Sequence, residues 1–389
     1  MTIQVTKEPI NLREKLNELE TNKGLKGNEI LQAETAQEVR SLIGAGRKNL
    51  IINGDMRVAQ RGTSNTNVTS SSYLNMDRYE TDISSAGTWT ISQDSDTPSG
   101  FGSSFKFLCT TADASISGTD RIAFRQKIEG QNLQQLKKGT ANAEPFTVSF
   151  WVKSNKIGTY INEVYDYDNS RYISKSYTIN AANTWEQKSI TFAGDTTGAL
   201  DNDSNASLHL HFWLAVGSGF SSGTLQTSWG GAGNTNRAVG QVNLADSTSN
   251  YLNITGVQLE LGSVATDFEH RSYGEELALC QRYYQRLDVA HSGAIARGQV
   301  WNTTSGYVNF PLSQPLRAYP TALTFNNLSV WGSSGTGTTG TLTLSIHTGS
   351  TKDTVRLNVG GKTNLGGAGQ VCSVYGTGAT SWLALEAEL

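Results

Sequence analysis

The sequence predicts a mainly β protein with a helical N-terminal segment and one short connecting helix. Apolar and polar residues alternate along residues 146–152 and 208–214, which is typical of strands with one buried face. Glycine is abundant, at 40 residues, and charged residues make up only 17%, below the value of about 25% usual in soluble domains. Short strands joined by turns rich in glycine and serine indicate an antiparallel sandwich of two sheets.

Residues 1–47 are predicted to form an N-terminal helical attachment segment. Charged residues interleave there with apolar residues at helical spacing, with a break near Gly24 and Gly27 and an end at Gly44 and Gly46. Neither helix can bury its apolar stripe alone. We therefore expect these helices to pack in a stalk with other copies of the chain or against another protein. An arm that becomes ordered only in an assembly is the alternative.

Residues 48–271 are predicted to form the sandwich. The segment 131–137 is a short helix or turn, and the glycine- and serine-rich segment 217–235 is a long exposed loop. Besides the two alternating strands, the pattern predicts strands at residues 49–59, 89–93, 104–109, 122–128, 160–167, 172–179, 185–192 and 254–261.

Residues 272–287 are predicted to form a connecting amphipathic helix. Its apolar residues recur at three- and four-residue spacing and include Tyr273, Leu277, Cys280, Tyr284 and Leu287. A helix of about 15 residues is unstable alone in water. We therefore expect this face to be buried against a domain or against copies of itself, as a trimer-packing helix.

Residues 288–389 are predicted to form a small C-terminal β-domain. Pro311, Pro315 and Pro320 would interrupt a central strand and mark a bend. Candidate strands lie at residues 292–301, 306–311, 322–326, 341–346, 354–359, 370–375 and 382–387.

Composition excludes several classes of function. The net charge of -3, without a cluster of Lys and Arg, argues against a nucleic-acid partner. Cys109, Cys280 and Cys372 lie far apart, which predicts reduced and buried thiols. The sequence has neither a signal-peptide pattern nor an apolar run of 18 residues, so we expect synthesis in a cytoplasm and no membrane insertion.

Two short strings match enzyme motifs without their structural context. Residues 219–223 fit G-x-S-x-G but lie in a predicted loop, whereas the hydrolase elbow needs a strand before the serine and a helix after it. Residues 335–340 fit G-x-G-x-x-G, but no helix follows to present its N-terminus to phosphate. The sequence therefore predicts no catalytic residues.

Metal ligands are not defined by the sequence. His209 and His211 share one strand face and could contact one ion, although such a pair is more often structural. Carboxylates are frequent in residues 164–169 and 201–205, and such runs can bind calcium, but neither fits the EF-hand loop.

Aromatic residues give the best candidate binding surface. If the apolar residues of the two alternating strands face the core, Trp151, His211 and Trp213 must face outward. Flat rings stack on sugars, and Tyr165 and Tyr167 could share that surface. The alternative is that these rings lie in a subunit interface or beneath a loop.

Four segments carry a resemblance to a known family: residues 49–63, 77–79, 254–287 and 382–389. Together they resemble the tail-fibre and related virion structural proteins of tailed bacteriophages. The central part is similar to the jelly-roll sandwich of carbohydrate-binding modules, which often hold a structural calcium ion.

The resemblance implies a homotrimeric virion appendage without a known catalytic centre. Residues 1–47 would attach it to other tail proteins, and the distal C-terminal domain would face the receptor. It would be made in the host cytoplasm and would bind host surface glycans through several weak contacts acting together. The alternatives are a structural adaptor or decoration protein without receptor binding and, less favoured, a polysaccharide-degrading tailspike.

Overall fold

The computed structural model describes residues 48–231, 233–332 and 339–389, and the predicted helices of residues 10–46 lie outside them. The described chain is mainly β, as predicted, and has two β regions with separate hydrophobic cores. One short helix lies between these regions along the chain. The three cysteines are free and buried, also as predicted.

The first region is a jelly-roll β-sandwich of two antiparallel sheets, whose strands we number in chain order. Sheet 1 has the spatial order β1 (Ser64–Val68), β4 (Thr88–Asp94), β5 (Ser104–Thr111), β13 (Tyr251–Leu261), β7 (Phe146–Ser154) and β10 (Glu186–Phe192). Sheet 2 has the order β12 (Gly230–Gly231), β9 (Arg171–Ile179), β8 (Gly158–Asp166), β11 (Ala206–Val216), β6 (Arg121–Glu129), β3 (Glu80–Ser84) and β2 (Ser72–Tyr73).

Aromatic rings fill the space between the two sheets. Phe124 stacks on Phe212 with ring centroids 4.9 Å apart, and Phe150 meets Phe212 edge to face at 5.1 Å. These residues occupy the apolar positions of β6, β7 and β11, which explains why the alternating pattern located these strands. The segment predicted as a short helix or turn forms two 3-10 turns, Gly130–Asn132 and Gln134–Leu136.

The strand predicted at residues 254–261 is confirmed as part of β13, which lies in the centre of sheet 1 between β5 and β7. Its register with β7 shifts between Thr255 and Gln258. Gly256 has φ of 63°, and a Cβ there would lie 2.7 Å from the Phe101 ring. Only glycine fits this bulge without strain.

The strand predicted at residues 49–59 is wrong, because this segment is a buried loop. Side chains satisfy its backbone donors in place of a strand partner. Asn49 Oδ1 accepts from the backbone N–H groups of Ile51 at 2.9 Å and Leu259 at 3.0 Å, and Gln126 Oε1 accepts from Ile52 N at 2.8 Å. Most residues of this segment are buried, and the apolar residues that this burial requires resemble the pattern of a strand.

The described residues among 217–235, predicted as a long exposed loop, are exposed or half-buried except for Gly217 and Phe220. They belong to a longer segment, 217–245 without Ala232, which folds back over the outer face of sheet 2. It contains helix α1 (Ser218–Ser221), β12 and a 3-10 turn at Asn234–Asn236. Three of its own apolar side chains, Phe220, Ala238 and Leu244, are buried. We call it the cover segment.

The connecting helix α2 spans Tyr273–Gln281 and begins with a capping box of Ser272 and Glu275. It is therefore shorter than predicted. Leu277 and Cys280 pack in a small cluster within the same chain, whereas Tyr273 is 54% exposed. The apolar face of this helix is thus covered largely by its own chain.

Tyr284 and Leu287, predicted on that helix, lie instead in strand β14 (Tyr284–Val289). In β14 these two residues pair with the C-terminal strand β22 (Ser381–Glu386), Tyr284 opposite Glu386 and Leu287 opposite Leu383. Tertiary strand pairing has overridden the local helical spacing.

The second region consists of two packed antiparallel sheets. The smaller has the order β14, β22 and β17 (Ala322–Asn326). The larger has the order β18 (Leu328–Gly332), β21 (Val371–Gly376), β15 (Ala294–Asn302), β16 (Ser305–Pro311), β20 (Thr354–Gly360) and β19 (Thr343–Ile346). All seven predicted strands are present within a few residues, whereas β14 and β18 were not predicted.

Buried ionic contacts join the two regions. Glu388 pairs with Arg78, which is 1% exposed, and with Arg61 at 3.1 Å. Arg282 pairs with the buried Glu129 at 2.8 Å. Among the described residues, no helix is long and apolar enough to cross a membrane.

Candidate functional site

The aromatic residues predicted to share one surface lie on two different sheets. Trp151 is in β7 of sheet 1 and is partly buried, close to Gly256 and Phe101. His211 and Trp213 are in β11 of sheet 2. The prediction of one common surface is wrong, because strand alternation cannot show which sheet of a sandwich a strand joins.

His211 and Trp213 do face away from the core, but solvent does not reach them. Trp213 is 0% exposed and His211 is 1% exposed. The cover segment packs Phe220 against the Trp213 ring at a centroid distance of 5.2 Å, and the Arg237 guanidinium carbon lies 5.2 Å from the same centroid. These two residues therefore cannot contact a glycan in this conformation, and the alternative of a covering loop is the one observed.

The four aromatic rings on this face form a ladder that leads from solvent to the buried tryptophan. Consecutive centroids are 5.2 Å apart from Tyr167 to His209, 5.8 Å from His209 to His211 and 5.8 Å from His211 to Trp213. Tyr167 is 61% exposed, and Tyr165 beside it is partly buried. Of the predicted glycan-binding residues on sheet 2, only these two tyrosines reach solvent.

A buried ion pair holds the cover segment to sheet 2. Arg237 donates to both carboxylate oxygens of Glu163, from Nε at 2.9 Å and from an outer nitrogen at 2.6 Å. Burial raises the pKa of Glu163, against the opposing effect of Arg237. Burial lowers the pKa of His209 and His211 well below 6.5, and Arg125 adds to the effect. Both imidazoles are thus neutral at neutral pH.

The carboxylate-rich run at residues 164–169 contributes to a cage around an ammonium group. Lys138 Nζ lies 2.5 Å from Asp166 Oδ2 and 3.0 Å from Asp195 Oδ2, and it donates to the carbonyl oxygens of Thr197 and Gly198 at 3.0 Å and 2.8 Å. The described part of the chain contains no group of three or more His, Cys, Asp or Glu that could hold a metal ion. Lys138 supplies the positive charge at this oxygen cluster.

The outer face of the six-stranded C-terminal sheet is not covered by any of the described residues, and we call it the open face. Strand register places its side chains in two neighbouring rows. The first row crosses five strands and consists of Trp331, Ser373, Arg297, Asn309 and Arg356. The second row consists of Val371, Gln299, Tyr307, Asn358 and Ser345. Trp301 follows Gln299 on the same side of β15.

Aromatic rings and side-chain amides are combined on the open face. Trp301 is 48% exposed and Trp331 is 54% exposed. The Trp301 centroid lies 5.6 Å from that of Tyr307 and 6.3 Å from that of His347. Such rings offer flat apolar surfaces, and the neighbouring amides offer both hydrogen-bond donors and acceptors. This combination suits a ligand with alternating apolar faces and hydroxyl groups.

The open-face aromatics were not among the residues predicted to bind glycans, although the sequence contains part of the signal. Ala296 and Val300 alternate with Gln299 and Trp301, which places Trp301 on the face opposite the core. Trp331 carries the same signal, because Leu328 and Val330 alternate with Ser329 and Trp331, but β18 is only five residues long, ends in glycine and was not predicted as a strand.

Comparisons with known proteins leave the family of this chain open. No family model and no curated protein matches it. Similar solved structures include the enzymatically active domain of bacteriophage CBA120 tailspike protein 4, with 13% identity and a TM-score of 0.31. That match covers 55% of this chain and about a fifth, 21%, of the tailspike chain.

Two carbohydrate-binding modules are also similar. TmCBM61 in complex with β-1,4-galactotriose has 9% identity and a TM-score of 0.26, over 56% of this chain and 100% of the module. The family 11 module of Clostridium thermocellum in complex with a mixed-linked tetrasaccharide has 10% identity and a TM-score of 0.26, over 52% and 98%. With TM-scores this low, the function of this chain has to be argued from its own residues.

Proposed function

We propose that this chain is a non-enzymatic structural protein of a phage virion, a tail fibre, whose open face binds glycans of the host surface. The observation that carries the proposal is the pair of half-exposed indoles, Trp301 and Trp331, on one uncovered sheet. Large apolar side chains in such an exposed patch mark interaction sites. The two neighbouring rows of side chains place polar groups beside these rings, which a purely apolar protein interface would not need.

Binding would use stacking and hydrogen bonds together. A sugar ring would lie on Trp301 or Trp331, and Gln299, Asn309 and Asn358 would exchange hydrogen bonds with its hydroxyl groups. Each contact is weak on a shallow surface. A homotrimer would present three such faces, so that effective concentration rather than one tight site holds the particle.

The remaining parts would position this face. Residues 1–47, with their predicted helical stripe, would join the chain to other tail proteins. The sandwich would serve as a rigid spacer, and the exposed Tyr167 beside Tyr165 would add a peripheral contact at most, because the rest of its ladder is covered.

Adhesion without catalysis is supported by the arrangement at the one serine motif. Ser221 lies inside the four-residue helix α1, and its Oγ donates to the Gly217 carbonyl at 3.0 Å. It therefore lacks the strand-to-helix elbow that exposes a hydrolase nucleophile. A decoration or adaptor protein without receptor binding is the alternative that the next experiment separates from adhesion.

Affinity electrophoresis of the full-length protein through gels containing soluble bacterial polysaccharides tests the proposal. We expect retardation by at least one polysaccharide and loss of it in Trp301→Ala and Trp331→Ala. Tyr319→Ala is the matched control, because Tyr319 is 64% exposed in the same region but lies outside the six strands of the open face. Deletion of residues 288–389 is a poor substitute, since it would leave Arg78 buried without Glu388 and would remove β22, the strand that pairs with β14.

Retention that survives both tryptophan changes would place the glycan site elsewhere. Absence of retention with every polysaccharide would favour the decoration or adaptor function. The mass of the protein by sedimentation, with and without residues 1–47, tests the trimer. A trimer in both forms is expected if the β regions hold the assembly, and a monomer in both would remove the avidity mechanism.

A further inference from the structure

We infer that the glycan bound at the open face is anionic, with carboxylate or phosphate groups that meet Arg297 and Arg356. This inference rests on the proposed function and adds the chemical class of the ligand. It comes from the charge on the face, which differs in sign from that of the whole chain. The chain carries a formal net charge of -3, whereas the open face presents positive charge only.

The six strands of the open face contain two arginines and no acidic residue. Their sequences are LSVWG, VCSVYG, AIARGQVWN, SGYVNFP, TVRLNVG and TLSI. Among the described residues, neither Arg297 nor Arg356 forms an ion pair with a carboxylate, while the arginines at the region boundary are paired. Two arginines without acidic partners on an aromatic surface form a site for an anion.

Arg356 is held in place before any ligand arrives. Its Nε donates to Asn309 Oδ1 at 3.0 Å, and its guanidinium carbon lies 4.9 Å from the Tyr307 centroid. In the described part of the chain, the two outer nitrogens of Arg356 form neither a hydrogen bond nor an ion pair. A guanidinium fixed in this way loses little conformational entropy when it binds a carboxylate or phosphate bidentately.

Register also sets the spacing of the two charges. Arg297 is opposite Asn309, and Asn309 is opposite Arg356, so the arginines are two strands apart in one row. Two strand spacings correspond to about 10 Å. One ligand that carries several anionic groups can therefore meet both arginines while a sugar ring lies on Trp301 or Tyr307. A saccharide with a single neutral ring would use the aromatics and leave both charges solvated.

Matched polysaccharides test the inference. Amylose, galactan and mannan would each be immobilised in neutral form and after oxidation of C6 to the uronate, and binding of the full-length protein would be measured by biolayer interferometry. We expect at least one uronate to bind tighter than its neutral parent. Arg297→Gln and Arg356→Gln should each weaken uronate binding by roughly tenfold or more, because hydrogen bonds to charged groups are the stronger class. Binding to neutral polymers should not change.

Controls separate a saccharide site from simple ion exchange. Lys137→Gln removes one positive charge from an exposed position of the sandwich, where the lysine side chain is 54% exposed, and should leave uronate binding unchanged. Trp301→Ala should weaken binding of both polymer forms. Loss of uronate binding in the arginine variants should occur with unaltered thermal unfolding, since both arginines lie at the surface.

The outcomes are distinguishable. Equal affinity for neutral and oxidised polymers, or uronate binding that is unaffected by Arg297→Gln and Arg356→Gln, overturns the inference and leaves the proposed function standing. Uronate binding that falls equally in Lys137→Gln and ignores Trp301→Ala is nonspecific charge attraction and also overturns it. Failure to bind any polymer of either kind argues against the proposed glycan binding and the inference together.

Discussion

Two sheet faces share a strand pattern but differ in solvent exposure: the outer face of sheet 2 in the sandwich and the open face of the C-terminal region. Both are antiparallel sheets whose strands place tryptophan on the side away from a core. In sheet 2 the cover segment, inserted between β11 and β13, folds back and buries Trp213 completely. In the C-terminal sheet the described residues leave Trp301 and Trp331 half exposed.

This difference shows that an aromatic residue on the side of a strand away from the core can have either of two roles. Under a long insertion it belongs to a second small core, here with Ala123, Ile161, Phe220 and Ala238. Where nothing returns over the sheet, it remains available for a ligand. Four changes test this contrast, from the largest expected effect to the smallest.

Trp213→Ala should lower the free energy of unfolding of the sandwich by about 4 kcal/mol, the usual range for loss of a fully buried large aromatic side chain. The ring contacts His211, Phe220 and Arg237, and its loss leaves a cavity beneath the cover segment. Urea unfolding followed by circular dichroism measures the change. A loss below about 1 kcal/mol would mean that the cover segment is readily displaced and that the ladder is accessible.

Arg237→Met should destabilise the sandwich by about 3 kcal/mol, because it leaves the carboxylate of Glu163 buried without its partner. The double variant with Glu163→Leu removes both charges and should recover much of that loss. Urea unfolding of the single and double variants gives the coupling between them. If the double variant were no more stable than Arg237→Met, other contacts would hold the cover segment.

Acidification should weaken the sandwich through its two buried histidines. Their pKa values are lowered in the folded state, so the unfolded chain alone takes up protons as pH falls below about 6.5. Stability contributed by the neutral imidazoles is complete above that pH and decreases by about 2.7 kcal/mol per pH unit for the two together, until the folded state also protonates.

His211→Phe should reduce that slope by about half, because it removes one of the two buried imidazoles. Unfolding free energies between pH 7.5 and about pH 5 give the slopes, and comparison of variant with wild type removes the contribution of carboxylates. Identical slopes in His211→Phe and in the wild type would mean that solvent reaches the ladder.

Trp331→Ala should change the unfolding free energy by less than about 0.5 kcal/mol, as is usual for surface positions. Its ring lies on the open face and contributes little to the core of the region. Thermal unfolding in dilute solution measures it. A large loss together with a smaller mass in sedimentation would show that copies of this chain pack through the open face, which would compete with glycan binding.

Much of the strand framework was predictable from local pattern. Apolar and polar residues alternate in the sequence at residues 146–152 and 208–214, and the structure has strands there. Errors arose where a segment satisfies its backbone through side chains, as at residues 49–59, or where strand pairing competes with helical spacing, as at Tyr284 and Leu287. Both depend on contacts with residues far along the chain, such as Ile52 with Gln126 and Tyr284 with Glu386, which no local window contains.

The features of the candidate site also differ in whether local sequence pattern could predict them. The sequence by itself determined which side of each strand Trp213 and Trp301 occupy, because side chains alternate along an extended backbone. Only the tertiary structure decided that Trp151 and Trp213 belong to opposite sheets, that the cover segment buries the second of them and that Arg297 and Arg356 share a row. Those facts depend on sheet order, register and the path of a long connection, and these are fixed by the packing of the whole chain.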